Sequence, residues 1–133
     1  FHLLPVRAGA VERARPDFAG MARAGLGDLY VFTREPESGT VHGRLFAPGY
    51  GIPEDPACAS VGLALAPWLV AEGLLPDAGI HRFHIVQGHE VGRPSRLDCS
   101  AEAGPGGGLT AMVSGVVVPS LRGEIVVSAP VAG

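Results

Sequence analysis

Between Arg96 and Ala103 the chain alternates strictly, with Leu97, Cys99, Ala101 and Ala103 on one side and Arg96, Asp98, Ser100 and Glu102 on the other. A period of two is that of a half-buried strand. Further short apolar runs at Phe1–Val6, Asp28–Thr33, Val41–Phe46, His81–Gln87, Leu109–Val118 and Glu124–Ala129 predict more strands, set apart by turn residues such as Glu37-Ser38-Gly39 and Arg122-Gly123. Their short connections favour antiparallel pairing. One stretch breaks the pattern. From Pro56 to Leu75 the side chains are apolar all round a helix, interrupted only by Ser60, Glu72 and glycines. Such a helix is predicted to be surrounded rather than laid on a surface. Asp55 is placed to cap it, Pro56 suits its first turn, Gly73 and Pro76 mark its end, and Pro67 predicts a kink. A shorter helix is predicted from Pro16 or Asp17 to about Arg23. The fold class that follows is α+β, a curled antiparallel sheet wrapped around one central helix.

A chain of 133 residues suits a single domain, residues 1–133, around one core. Hydrophobic residues make up 47% and charged residues 17%, so the polar covering is thin and apolar surface is left to meet a partner. The net charge is -3 and the ten basic residues are all scattered arginines, which provides no basic field for nucleic acid. No apolar run is long enough to span a bilayer, and no signal segment opens the chain, so the expected setting is the cytoplasm with both cysteines reduced. The chain opens at Phe1, inside a predicted strand, and reads as a fragment or a processed product.

The candidate chemistry sits in Gly51-Ile52-Pro53-Glu54-Asp55-Pro56-Ala57-Cys58-Ala59-Ser60. A helix start presents unpaired amides and a partial positive charge, so it attracts an anion such as a substrate carboxylate. A thiolate at Cys58 would gain from the same dipole, and a thiol or hydroxyl there can move a proton at a neighbouring carbon. A purely structural role fits the same residues: Asp-Pro is ordinary capping, and cysteine is often simply buried. Glu54 and Asp55 are adjacent and expected to differ, one capping and the other facing solvent or a substrate. His81, His84 and His89 lack metal-ligand spacing and read as surface or turn histidines, so no metal is expected. Gly104–Gly108 reads as a flexible hairpin rather than a phosphate loop, and Cys99 as core packing.

Three stretches in order, Arg44-Leu45-Phe46-Ala47-Pro48, Gly51 to Ser60, and Gln87-Gly88-His89-Glu90-Val91-Gly92-Arg93-Pro94-Ser95, resemble the PhzF-like phenazine-biosynthesis family. Its usual motifs read E-D-P-A-T-G-S-A and Q-G-x-E-M-G-R-P-S. The resemblance implies the diaminopimelate-epimerase fold, two pseudo-symmetric halves with a cleft between them, of which this chain matches the C-terminal half. The glutamate that acts as acid/base in the family lies in the other half. Asp55 then matches the substrate-contacting aspartate, Ser60 the helix-start serine, and the amides of Ala59 and Ser60 the carboxylate cradle. Ala59 replaces the usual glycine, and its methyl group narrows the approach to the amides. Cys58 replaces the usual threonine and is similar to the catalytic cysteine of diaminopimelate epimerases and proline racemases, which pair one thiol from each half.

The resemblance implies a cofactor-independent isomerase or epimerase acting on a small carboxylate-bearing molecule. Asp55 and Cys58 are its expected catalytic residues and Ala59 and Ser60 its substrate-binding residues. The cleft would be completed by the N-terminal half or a second copy of the chain. The alternative is a catalytically silent domain that binds a ligand or partner in the same groove. Arg93 is expected to brace its turn.

Overall fold

The computed structural model describes residues 1–104 and 108–126. In chain order they form β1 (His2–Pro5), α1 (Ala10–Arg13), α2 (Phe18–Arg23), β2 (Leu29–Glu35), β3 (Thr40–Phe46), β4 (Glu54–Asp55), α3 (Ala59–Ala71), β5 (Gly79–Gln87), β6 (Ser95–Ala103) and β7 (Leu109–Gly115). The class is α+β, as expected. The strands make one open sheet in the order β1-β2-β3-β5-β6-β7, with β4 added to β3.

Pairing is mixed rather than wholly antiparallel. β2–β3, β3–β4, β5–β6 and β6–β7 run antiparallel, whereas β1–β2 and β3–β5 run parallel. The two exceptions share a cause. Parallel neighbours need a crossover connection, and helices lie in both intervening segments: α1 and α2 between β1 and β2, α3 between β3 and β5. The strand expected at Glu124–Ala129 is absent over residues 124–126, and residues 127–129 lie outside the described residues. The preceding strand stops at Gly115 instead of Val118.

Alternation sorts the strands onto two faces. Tyr30, Phe32, Val41, Leu45, Phe83, Ile85, Cys99 and Ala101 pack with Val61, Leu65, Ala66 and Leu69 of α3 in the main core. Val31 and Phe46 face the other way and join Met21 of α2 in a smaller core. α3 comes close to the sheet because residue 62 is glycine: a Cβ there would fall 2.7 Å from Val113 Cγ2 and 2.9 Å from Cys99 Sγ. Gly43 serves the Tyr30 ring in the same way, since a Cβ on it would overlap the phenol. The buried Tyr30 ring therefore lies against Gly43 of β3.

Two helix expectations change. α3 begins at Ala59, with Cys58 as its extended N-cap residue, three residues after the expected start. Asp55 precedes a proline, which disfavours helical dihedrals, and it goes into β4 opposite Leu45 instead. Pro67 lies inside the helix, which continues to Ala71 and closes, as expected, at Gly73, φ 67°, with Leu74 N–H donating to Leu69 O. Nor is the helix covered on every side in this chain: Ser60, Leu63, Pro67 and Ala71 form an exposed stripe along it. The α2 expectation holds, with Asp17 accepting from Gly20 N–H at 2.9 Å.

Candidate active site

Glu54 and Asp55 are neighbours in a strand, so their side chains leave on opposite faces of the sheet. Glu54 lies opposite Phe46 and turns to the α1 side, where Arg44 meets it with two hydrogen bonds, Nε to Oε1 at 2.9 Å and Nη2 to Oε2 at 2.8 Å. Both side chains are more than nine-tenths buried. Glu54 thus neither caps a helix nor faces a substrate. It is a structural anion, and its hydrogen bonds hold the Arg44 guanidinium even further above its ordinary pKa. Arg44 also donates to Val11 O and Ala14 O, which ties α1 to the strand that bears the site.

Asp55 faces the α3 side. Its Oδ1 accepts from Ala57 N–H at 3.0 Å, a bond that spans Pro56 and turns the chain toward the helix. Asp55 is therefore a turn former rather than the helix cap. Cys58 follows as N-cap residue without a side-chain cap bond, and its Sγ lies 3.0 Å from Ser60 Oγ. The amides of Ala59 and Ser60 open a 13-residue helix with no helical carbonyl one turn before them, and both residues are exposed. Asp55, Cys58, Ala59 and Ser60 are thus gathered at one end of α3. The amide row and thiol can meet an anion there, with the Asp55 carboxylate three residues before the thiol in the chain.

The other candidates disperse. His81 Nε2 lies 2.7 Å from Ala78 O, His84 Nε2 lies 2.8 Å from Thr40 Oγ1, and His89 is exposed. Arg93 holds its turn through its backbone, N–H to Gly88 O at 2.8 Å. The glycine stretch joins β6 to β7, with Gly104 N–H bonded to Gly108 O at 2.9 Å and residues 105–107 outside the described residues. His42 carries no spacing signal in the sequence, yet its ring lies between Glu12 Oε1 at 3.4 Å and Glu90 Oε1 at 2.9 Å. Only the fold brings those three together.

The two thiols differ in setting. Cys99 is buried beneath α3, and that burial, helped by Asp98, pushes its thiol up to about 11. Burial likewise raises Tyr30. Iodoacetamide on the native protein is expected to label Cys58 alone, with Cys99 labelled only after denaturation, as read by peptide mass spectrometry. Both raised groups bind their protons more tightly folded than unfolded. Stability is therefore fully present below the ordinary values of 9.0 and 10.0 and falls as pH rises above them. Urea midpoints between pH 8 and 11 check this, and a flat profile would refute it.

Comparison with known proteins now bears on the whole arrangement. Residues 5–121 match the model of the family described as phenazine biosynthesis-like protein. The chain belongs to this family. Relatives include an uncharacterized isomerase of Deinococcus radiodurans, 35% identical over 99 residues covering 71% of this chain and 32% of the relative. The trans-2,3-dihydro-3-hydroxyanthranilate isomerase of Pseudomonas aeruginosa is 41% identical over 59 residues, 44% of this chain and 20% of that protein. A solved PhzF-family protein of Bacillus anthracis superposes with a TM-score of 0.59 at 18% identity, covering 87% of this chain and 45% of the other, which establishes a shared fold. The chain spans about a third of the length of the Deinococcus relative. Among the described residues, no helix is long and apolar enough to cross a membrane.

Proposed function

We propose that this chain forms one lobe of an isomerase that moves a proton on a small carboxylate-bearing molecule, without a metal or an organic cofactor. The observation that carries this reading is the convergence of the Asp55 carboxylate, the Cys58 thiol and the opening amides of α3 at one exposed end of the helix. The amides of Ala59 and Ser60 and the Ser60 hydroxyl hold the substrate carboxylate. Asp55 orients the substrate and relays its proton, and Cys58 is the second proton-transferring group. The isomerases among the relatives support the reaction class. The substrate in the name of the Pseudomonas enzyme is itself a carboxylic acid.

The same reading gives the exposed stripe Leu63, Pro67 and Ala71 a role as the seat of the opposing lobe or of a second copy, which completes the cleft and excludes water from it. A catalytically silent domain that binds a ligand or partner in the same groove is the second reading. The deciding experiment incubates the chain in deuterium oxide with trans-2,3-dihydro-3-hydroxyanthranilate and a panel of small carboxylic acids, alone and with a separately expressed N-terminal lobe from the Pseudomonas relative. Deuterium entering a substrate carbon, followed by NMR, is the expected result. Its absence in every mixture, with the substrates still bound, supports the silent domain.

A further inference from the structure

We propose that Gln87 is the positioning residue of this site: its buried side-chain amide sets the Asp55–Pro56 turn and thereby the direction of the Asp55 carboxylate and the first amides of α3. Gln87 ends β5 and is fully buried, and its Nε2 donates to Asp55 O at 2.6 Å. The next carbonyl along, Pro56 O, accepts from Ser95 Oγ at 2.8 Å. Between these two donors the chain makes a left-handed turn at Gly88, φ 82°, where a Cβ would fall 2.7 Å from Pro56 O and collide with Arg93 O. Two consecutive carbonyls of the site segment are thus gripped by β5 and β6. The backbone of Gly88 closes in from the same side.

The amide's other half shows what it is kept for. Among the described residues Gln87 Oε1 is buried without a partner, an arrangement that disfavours the residue as mere filling, since an apolar side chain of the same shape would leave no unpaired acceptor. Flipping the amide would set its oxygen against Asp55 O, so the donor must face the site. Asp55 has few other restraints: β4 is only two residues long and branches from β3 outside the main strand order.

The importance of the grip rests on the proposed role of Asp55, but its test needs no substrate. The Ala57 amide, bonded to Asp55 Oδ1, reports the turn through hydrogen exchange. In Gln87→Met, exchange at Ala57 is expected to speed up about five- to thirty-fold, with the β5–β6 ladder amides as internal control for global unfolding. Gln87→Glu supplies the rescue. Protonated, its carboxyl donates to Asp55 O and exchange stays near wild type; ionised, it repels that oxygen and the turn loosens. The ratio of Ala57 exchange between this variant and wild type, taken at each pH, should therefore climb from near one as the glutamate ionises, in step with a shift in the NMR signal of the Asp55 carboxyl carbon. Pure packing would not produce such a titration. Unchanged Ala57 exchange in Gln87→Met, or a pH-independent ratio in Gln87→Glu, would overturn the proposal. Failure of wild-type proton exchange on substrates would instead remove the isomerase reading and leave these outcomes intact.

Discussion

Arg44→Met or Glu54→Gln alone lowers the unfolding free energy by about 3–5 kcal/mol, the usual cost of leaving a buried charge without its partner. The two side chains are only 8% and 7% exposed, and their bidentate pairing satisfies the fork of one and both oxygens of the other. Arg44 also carries the carbonyls of Val11 and Ala14 and lies 4.9 Å over the Phe46 ring, so its loss unties α1 as well. The double variant Arg44→Met, Glu54→Leu removes both charges together and should recover much of the loss. Urea denaturation measures all three. A single variant within 1 kcal/mol of wild type would show the pair to be dispensable.

Asp55→Asn should behave in the opposite manner: near-native stability, with proton exchange on substrate falling by roughly a hundred- to ten-thousand-fold. The asparagine keeps a side-chain oxygen for Ala57 N–H, so the turn over Pro56 survives, while the group proposed to take the proton is gone. Cys58→Ala tests the thiol in parallel, because no cap bond of the helix depends on its side chain. The checks are thermal melts beside deuterium incorporation followed by mass spectrometry. If both variants lose folding to the same degree as activity, these residues are structural and the assignment fails.

Much of this was legible beforehand because the signals are local. The strict alternation of Arg96–Ala103 placed Cys99 on the core face, and it is buried there. The all-apolar stretch after Pro56 announced the main helix. The start of that helix was misplaced since Asp-Pro serves equally as a cap or as the end of a strand, and only pairing with Leu45 decides between them. Glu54 gave no hint of burial. Its partner Arg44 stands ten residues away on a neighbouring strand, a relation that neither propensity nor periodicity encodes. The parallel pairs escaped notice for the same reason, and α1, at four residues, is too short to show a period.

The pairing of β3 with β5 joins Thr40 to His84, so the middle of the sheet can close only after the ribosome has passed the mid-eighties. Asp55 and Cys58 emerge well before that. Ser95, the last group to grip the site segment, is made 39 residues after Pro56, a delay of roughly two to eight seconds at ordinary rates of synthesis. During that interval the thiol and carboxylate are on a nascent chain that has β1, β2 and β3 but neither β5 nor β6 to grip the carbonyls of Asp55 and Pro56. The order of synthesis therefore makes the thiol-bearing end of the helix the first part of the candidate site to be made and the last to be set.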